Sequence, residues 1–301
     1  MFRNLIIRDL KIAFFTSTNF LFTTSFFLLI LILIPFIFGS EVGLLKIMFK
    51  GLIWIALVLS ILLTLARIFN SDYDDGNLDI IIRSVSSLES IIHKIKPGVT
   101  EKQFASDLVI ELLRNGSDSE LPFSPIVASG FNAANPHHFP IDKEFEKGDL
   151  IIIDWGANYE GYFSDITRTF AIGNIDSRLQ SAYSAVKNAN LAARELAKSG
   201  VQAGLVDSAA RNVIDEAGFG EYFTHRTGHG LGLEIHEEPY IKPDNDFVLE
   251  SGMTFTIEPG IYIPNLGGIR IEDDVLVENN QPKVLSSAIK ELDDIQQLMA
   301  S

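Results

Sequence analysis

Residues 150–170 of the chain are LIIIDWGANYEGYFSDITRTF. The two apolar runs, separated by polar residues and glycine, predict a strand hairpin that turns near Asn158–Gly161. Asp154 and Asp165 interrupt these runs, one on each side of the turn. An isolated buried carboxylate loses its hydration without compensation, so acids in such strands indicate a positive partner. A metal ion would be such a partner.

The elements around this hairpin are predicted to occur twice in the same order. Residues 78–95 predict a helix that ends at Pro97-Gly98, and the capping-box pair Thr100 and Gln103 opens a second helix that reaches Arg114. Further along, the patterns predict helices over 176–200 and 205–217, followed by a second hairpin that begins near Met253. This order predicts two similar halves.

Glycine and acidic positions support the internal repeat. Three residues recur 102 positions later, namely Gly98, Val99 and Gly116 as Gly200, Val201 and Gly218. Three more recur 104 positions later, namely Gly148, Asp154 and Gly156 as Gly252, Glu258 and Gly260. Chance matching of a few glycines is the alternative, but the equivalent Asp154 and Glu258 are both acidic. Packed about a pseudo-twofold axis, the halves would bring Asp154, Asp165, Glu258 and Glu272 together from adjacent strands.

These four carboxylates and one histidine are the candidate metal ligands. Neighbouring carboxylates raise one another's pKa strongly, whereas two divalent ions would balance four negative charges. His229, in THRTGHGLGLEIHEEP (224–239), is the candidate nitrogen ligand. Carboxylate-rich ligation suits manganese, cobalt, iron or zinc. Two such ions close together can share a water whose pKa drops towards neutrality, which predicts a hydrolase with a metal-bridging hydroxide as the nucleophile.

Five of the six histidines lie in the motif regions: His137, His138, His225, His229 and His236. A lone histidine is more often a structural residue than a ligand, but three in one short segment favour a functional site. Glycines 228, 230 and 232 would let the backbone pass close to a metal or substrate, although glycine-rich stretches are also ordinary turns.

These motifs resemble those of the pita-bread metallopeptidases, and within them the Xaa-Pro peptidase branch of aminopeptidase P and prolidase. The similarity covers roughly residues 78–298. Five strings occur in the family's order: VASGFNAANPHH (127–138), DWGANYEGYFSDITRTF (154–170), HRTGHGLGLEIHEEP (225–239), MTFTIEPGIYIP (253–264) and GGIRIEDD (267–274). The resemblance implies an α+β pita-bread fold built from two pseudo-symmetric ααββ-type halves.

The resemblance also implies roles for single residues. Asp154 and Asp165 would chelate one ion, and His229 and Glu258 would bind the other. Asp165, Glu258 and Glu272 would help to link or complete the pair. Glu258 would also act as the general base. His137 would orient or protonate the scissile amide and His236 would stabilise the oxyanion. His225 and Arg270 are candidate substrate contacts, with structural orientation of the ligands as the equal alternative, and His138 is interpreted as structural.

The predicted activity is that of an aminopeptidase or dipeptidase that cleaves next to the substrate's amino terminus, before proline. Manganese is the expected metal, with cobalt, zinc or iron as alternatives.

Typical Xaa-Pro peptidases resemble two-domain proteins, and residues 1–70 occupy the place of their amino-terminal domain. Methionine-aminopeptidase-like processing is therefore one alternative function, and a non-catalytic peptide-binding module is another. A homodimer is a further expectation.

The first 70 residues predict a membrane anchor. No charged residue occurs between Lys11 and Glu41, and a second uncharged run lies between Lys50 and Arg67. Two transmembrane helices, over about 20–39 and 51–69, fit these lengths. A signal peptide is the alternative, but its apolar region would be much shorter. An acidic linker, SDYDDGN (71–77), leads to the catalytic domain at 78–301.

Charge divides the chain in the same way. Residues 1–70 carry six basic and two acidic side chains, a balance of +4, so the remainder carries −19 of a whole-chain charge of −15. Such an acidic domain repels phosphate backbones, so nucleic acid is not an expected partner, whereas short peptides and membrane lipid are. The distribution of basic residues weakly favours a cytoplasmic catalytic domain. Cysteine is absent, which excludes disulfides and thiolate ligands.

Overall fold

The computed structural model describes residues 25–30, 32, 51, 53–59, 80–278, 281–286, 288 and 290. The chain divides into two compact units, Met1–Gly76 and Asn77–Ser301. In the first unit the described residues are helical. Several of their large apolar side chains, including Leu28, Trp54 and Val58, are exposed. Over the described parts of the chain, no helix combines the length and apolarity needed to cross a membrane. The spans predicted over about 20–39 and 51–69 lie largely outside the described residues.

The first half of the second unit packs two helices on a three-stranded antiparallel sheet. Helix α1 covers residues 80–91 and helix α2 covers Glu101–Arg114. The predicted capping box at Thr100 and Gln103 is confirmed, since each side chain bonds the other residue's backbone N–H. The sheet has the order β1-β2-β5, with β1 at Ile126–Ser129, β2 at Leu150–Trp155 and β5 at Ile166–Ala171. All six residues of β2 are buried, because Ile151, Ile153 and Trp155 pack in the core that includes α1 and α2, and Leu150 and Ile152 pack on the opposite face of the strand.

Between β2 and β5 the chain forms the predicted turn. Strands β3 (Asn158–Tyr159) and β4 (Tyr162–Phe163) pair as a short two-stranded ribbon. The two residues that connect them, Glu160 and Gly161, have φ angles of 53° and 88°. Such left-handed backbone closes a tight hairpin whose twist matches that of its strands. The turn predicted near Asn158–Gly161 is therefore confirmed.

The second half repeats this arrangement with more strands. Its helices are α3 (Ser177–Leu196), which Asp176 caps, and α4 (Ala203–Glu216). Its five-stranded sheet has the order β12-β11-β8-β6-β7, and β9 and β10 pair separately. Their bounds are β6 Gly228–Gly230, β7 Glu237–Ile241, β8 Thr254–Ile257, β9 Gly260–Ile263, β10 Gly267–Arg270, β11 Asp273–Val277 and β12 Pro282–Val284.

Backbone hydrogen bonds repeat between the halves at the offsets seen in the sequence. Gly98 donates to the carbonyl of Phe145, and Gly200 donates to that of Leu249. An isolated bridge joins Thr100 to Glu144 in the first half, and another joins Gln202 to Val248 in the second. These partners are again 102 and 104 positions apart, so the predicted repeat is present in the fold.

Each half also has its own apolar core. One core lies between α1, α2 and strands β1, β2 and β5, and includes Phe104 and Trp155. The other lies between α3, α4 and strands β8 to β11, and includes Val186 and Phe255. The acid-bearing ends of β2 and β8, which the sequence pattern predicted to be equivalent, come to one place between the halves. The α+β pita-bread architecture was therefore predicted correctly.

Candidate metal centre

Three of the predicted ligands form a compact buried group. Asp165, His229 and Glu272 each offer one ligand atom, and these atoms all lie within 4.8 Å of one another. Asp165 precedes β5, His229 is the middle residue of β6, and Glu272 precedes β11. Both halves of the fold thus contribute to the group, as the pseudo-twofold arrangement predicted.

The other two predicted ligands adjoin this group. Glu258 Oε1 lies 3.4 Å from His229 Nε2, and Asp165 Oδ2 lies 3.5 Å from the same nitrogen. Asp154 accepts a 2.6 Å hydrogen bond from Arg270 Nη2 through Oδ2. Its other oxygen, Oδ1, is buried and has no hydrogen-bond partner among the described residues.

Local backbone contacts place His229. A side chain at Gly228 would collide with the backbone carbonyl of Thr256, so glycine lets β6 lie close against β8. The His229 N–H then donates to Thr256 Oγ1 at 3.1 Å. On the same strand pair, the Glu258 N–H donates to the Thr227 carbonyl at 2.7 Å. These bonds fix the two ligand side chains relative to each other.

The ring of His229 presents an unprotonated nitrogen to the acids. Burial, and the neighbouring His236, lower the pKa of His229 to about 3, so the ring is neutral at pH 7. Nδ1 lies 3.1 Å from the carbonyl of Gly230, which can only accept, so Nδ1 carries the proton. Nε2 therefore directs a lone pair towards carboxylate oxygens, an arrangement that a cation between them would stabilise.

Burial and the charges of neighbouring acids raise the pKa values of three carboxyl groups in the site. Burial raises the pKa of Glu258 to about 7, with Arg270 opposing and Asp154 reinforcing the shift. Burial, followed by the charge of Glu272, raises the pKa of Asp165 well above its usual value. Burial and the charge of Glu258 do the same to Glu272. Positive charge between these carboxyl groups would favour their ionised forms and lower their pKa values again.

The residues present therefore fit divalent ions. A buried unpaired oxygen on Asp154, a lone pair on His229 and three carboxyl groups with raised pKa values surround one place. Oxygen donors with a single imidazole nitrogen are the ligands that manganese, iron, cobalt and zinc accept. A plain structural interpretation of these residues leaves the unpaired buried oxygen of Asp154 unexplained.

Beside the ligands, Arg270, Tyr262 and His225 form a buried chain of hydrogen bonds. Arg270 Nη1 donates to Tyr262 Oη at 2.8 Å, and Tyr262 Oη lies 2.8 Å from His225 Nε2. His225 Nδ1 lies 2.7 Å from the Arg226 carbonyl and therefore carries the ring proton, so Nε2 accepts from the tyrosine hydroxyl. Burial, and the charge of Arg270, lower the pKa of His225 to about 3, which keeps this ring neutral.

The remaining predicted histidines have different surroundings. The ring of His236 packs edge-on against that of His229, with centroids 4.3 Å apart. Burial, together with Arg226, lowers the pKa of His236. His137 is exposed, and its backbone N–H donates to Asn135 Oδ1 at 3.1 Å. His138 Nε2 lies 2.8 Å from the buried carboxylate of Glu101, as expected of a structural residue.

Three polar residues of the site were missed in the sequence analysis. Thr167 donates to Glu272 Oε2 at 2.6 Å and accepts from Arg270 Nε at 3.1 Å. Asp274 Oδ2 accepts from the backbone N–H of Asp165 at 3.3 Å. Tyr262 is the third. The alternation of side chains along strands could have indicated Thr167, two positions after Asp165, as a residue on the same face.

A family model described as "Metallopeptidase family M24" matches residues 81–279. The chain belongs to metallopeptidase family M24. This match includes all five candidate ligands and confirms the resemblance to the pita-bread metallopeptidases. The M24 model leaves out the N-terminal unit, but a second model, described as "CcmB protein", matches residues 1–110 and overlaps the M24 match over 81–110.

The M24 part of the chain is also similar to characterised sequences and structures. Xaa-Pro dipeptidase of Pyrococcus horikoshii is 45% identical over 201 residues, which are 67% of this chain and 57% of the relative. The solved structure of Xaa-Pro dipeptidase from Bacillus anthracis aligns with a TM-score of 0.70 at 42% identity, covering 71% of this chain and 61% of the other. The chain thus spans somewhat over half the length of these M24 relatives.

The structure of X-Pro aminopeptidase from Thermotoga maritima is similar as well. It aligns with a TM-score of 0.68 at 40% identity, covering 71% of this chain and 60% of the other. M24 similarity therefore extends to proteins that carry the names of both dipeptidases and aminopeptidases.

Proposed function

We propose that the chain is a divalent-metal-dependent peptidase that hydrolyses the bond before proline in dipeptides or at the amino terminus of short peptides. Two ions would be held by Asp154, Asp165, His229, Glu258 and Glu272. The gathering of these five side chains in one buried place, with one oxygen of Asp154 left unpaired, is the observation that carries the proposal. Xaa-Pro dipeptidases among the relatives support the substrate class.

The bound ions would supply positive charge that lowers the pKa of a water nucleophile and polarises the amide carbonyl. Glu258, whose Oε1 lies 3.4 Å from His229 Nε2 and therefore next to the place of that water, would then accept its proton. His236, packed on His229 and kept neutral at pH 7, donates an N–H to the oxyanion that develops on the substrate. Exposed His137 contacts the substrate amide from the loop beyond β1.

Arg270 has a separate task in this proposal. Its guanidinium bonds Asp154, Thr167 and Tyr262, so it holds one ligand and two groups beside the ligands. The neutral ring of His225 completes this chain through Tyr262. Arg270 and His225 would therefore orient ligands rather than contact the substrate.

The test is a hydrolysis assay on the full-length protein, stripped of metal and reconstituted with Mn²⁺, Co²⁺ or Zn²⁺. Ala-Pro and Ala-Pro-Ala are the expected substrates, and Met-Ala is the comparison. Preferential cleavage of Met-Ala would favour methionine-aminopeptidase-like processing. Metal binding without cleavage of any peptide would favour a peptide-binding module.

We further propose that residues 1–70 anchor the protein in a membrane through two helices, with the catalytic domain in the cytoplasm. The supporting observation is the pair of long uncharged apolar runs. Exposed apolar side chains such as Trp54 and Ile55 on the described helical residues agree with it. The expected result is recovery of the protein in the membrane fraction after carbonate washing. Recovery in the supernatant without detergent would contradict the anchor.

A further inference from the structure

Ser84, in helix α1, contacts the strand hairpin that carries Asp154 and Asp165. Its side chain and that of Ser164 are fully buried, and their hydroxyl oxygens lie 2.6 Å apart. Ser84 Oγ also lies 3.0 Å from the carbonyl of Ile80. Ser164 Oγ accepts a 3.0 Å bond from the backbone N–H of Ala157.

The ends of this chain fix the direction of every bond in it. The Ile80 carbonyl can only accept, so Ser84 gives its single hydroxyl proton to Ile80. Ser84 Oγ must then accept from the hydroxyl of Ser164. Ser164 Oγ in turn accepts from the N–H of Ala157, which can only donate. The three bonds form one directed relay, and losing the Ser84 hydroxyl leaves the proton of Ser164 without its buried acceptor.

The backbone of Ser84 contacts the other strand of the hairpin. Its carbonyl accepts a 2.9 Å bond from Nε1 of Trp155, whose side chain is fully buried. Trp155 follows Asp154 directly, and Ser164 precedes Asp165 directly. One helical residue thus bonds the immediate neighbour of each acid.

We propose that Ser84 is a positioning residue for the metal centre, which fixes the spacing of Asp154 and Asp165 by bonding Trp155 and Ser164. This inference rests on the proposed function, because it assumes that the two acids bind metal. Ligand side chains must be held within about 0.5 Å of productive geometry, and groups that orient ligands achieve this. Ser84 acts on the ligand pair from a helix that contributes no ligand of its own.

The test compares Ser84→Ala with Ser87→Ala in the full-length protein. Ser87 is a matched control because it is a fully buried serine of the same helix whose hydroxyl, among the described residues, bonds only the carbonyls of Arg83 and Glu111. Mn²⁺ affinity of the chelator-stripped proteins is measured by titration calorimetry, and metal-free thermal unfolding is measured in parallel. Both substitutions should lower the unfolding temperature similarly.

Only Ser84→Ala should weaken Mn²⁺ binding, by about 10-fold or more, the loss typical of groups that orient metal ligands. Equal Mn²⁺ affinity in Ser84→Ala and Ser87→Ala would overturn the positioning role. Absence of Mn²⁺ binding in the unsubstituted protein would instead contradict the metal centre itself. The two failures are therefore distinguishable.

Ser164→Ala removes the bond between the two hydroxyl groups from its hairpin side. This variant replaces Ser84→Ala in the test if Ser84→Ala does not fold. It should weaken Mn²⁺ binding at least as much, because it also removes the acceptor of the Ala157 N–H. The double variant should lose little more than Ser164→Ala alone, because the bond between the two hydroxyl groups is then already absent. Fully additive losses in affinity would show that the two hydroxyl groups act separately and would overturn the proposal.

Discussion

At the scale of the residue, Glu258 combines two proposed tasks, metal ligation and proton acceptance. Glu258→Gln keeps the shape of the side chain but removes its charge and its capacity to take a proton. We expect kcat on Ala-Pro to fall by about 10²-fold to 10⁴-fold, the usual contribution of general acid–base catalysis. Steady-state kinetics at saturating Mn²⁺ measures this loss. Exposed Glu250, changed in the same way, is the control, and a Glu258→Gln enzyme of near-normal kcat would remove Glu258 from the mechanism.

Tyr262 allows a test of the hydrogen-bond chain beside the ligands. Tyr262→Phe removes one hydroxyl group, which leaves Nη1 of buried Arg270 with only the 3.5 Å contact to the Pro136 carbonyl and leaves Nε2 of half-buried His225 without its donor. The free energy of unfolding should fall by about 1–3 kcal/mol in urea titrations. Tyr222→Phe, which removes an exposed contact to Arg178, should change it by less than about 0.5 kcal/mol. Equal effects of the two substitutions would mean that the buried chain adds no stability.

The sequence indicated the acidic residues of the candidate site better than it indicated the residues that hydrogen-bond to them. An acid in an apolar strand conflicts with its surroundings, and that conflict is visible in a single segment. Thr167 and Tyr262 fit their own strands well, and the only local sign of either is the position of Thr167, two residues after Asp165 on the same face of the strand. Their partners are reached only through the fold, as with Thr167 and Glu272, which are 105 positions apart.

At the scale of the element, a buried cluster of ion pairs holds strand β11 in place. Asp273 bonds Arg168 at 2.9 Å and Lys290 at 2.9 Å, and both partners are largely buried. Burial alone would raise the pKa of Asp273, but the charges of Arg168, Lys290 and Arg194 hold it below its usual value. The cluster thus attaches the segment that follows β12 to the strand that begins next to Glu272.

Asp273→Asn tests the strength of this attachment. The substitution keeps the side-chain shape but leaves the guanidinium of Arg168 buried without its counter-charge. We expect the free energy of unfolding to fall by about 3–5 kcal/mol, as when one partner of a buried ion pair is removed. Chemical denaturation measures it, with exposed Asp246→Asn as the control. A loss no larger than that of the control would show that the cluster is not stabilising.

Glu101 organises the loop between β1 and β2. Its buried carboxylate accepts from Ser129 N and Oγ at 2.8 Å each and from the backbone N–H of Ile141 at 3.2 Å, and it also pairs with His138. These bonds enclose the segment that carries His137.

Glu101→Gln should therefore lower kcat/KM for Ala-Pro while Mn²⁺ affinity stays unchanged, because one oxygen acceptor becomes a donor and the loop shifts. The expected loss is about 10-fold, which corresponds to the cost of about one mispaired buried group. Enzyme kinetics and Mn²⁺ titration are compared with those of exposed Glu89→Gln. An unchanged kcat/KM would mean that the loop tolerates the mispairing.

Helices and hairpins were predicted closely from caps, turns and repeats. The capping box at Thr100 and the turn at Gly161 depend on residues within a few positions of each other, so the sequence displays them completely. The pairing order of the five-stranded sheet, in which β11 lies between β12 and β8, was not predicted. Strand neighbours depend on packing between distant segments, which local patterns do not encode.

At the scale of the whole molecule, charge in the metal centre links pH to stability. In the metal-free protein, burial raises the pKa of Glu258 from 4.5 to about 7. The folded state then binds more protons than the unfolded state between these values, so this group destabilises the fold as pH rises through that window. His225 and His229 have lowered pKa values and act in the opposite direction.

A comparison with Glu258→Gln removes this acid together with the charge by which it raises the pKa of Glu272, while both histidines remain. In EDTA, the stability of the unsubstituted protein relative to the variant should fall between about pH 5 and pH 7, by at most about 1.4 kcal/mol per pH unit. Urea unfolding at several pH values measures the difference. Saturating Mn²⁺ should abolish the decline, and a difference that rises with pH in EDTA would contradict the raised pKa.

Two separate cores around one shared centre suggest where the polypeptide tolerates being cut. Residues 172–176 connect β5 to α3, and on either side of this connection lies a nearly complete core. Neither fragment would carry more than part of the ligand set, with Asp154 and Asp165 in one and His229, Glu258 and Glu272 in the other. If the chain were divided at this connection, peptide cleavage would require both fragments to reassemble. The rate of cleavage would therefore measure how much of the protein had reassembled.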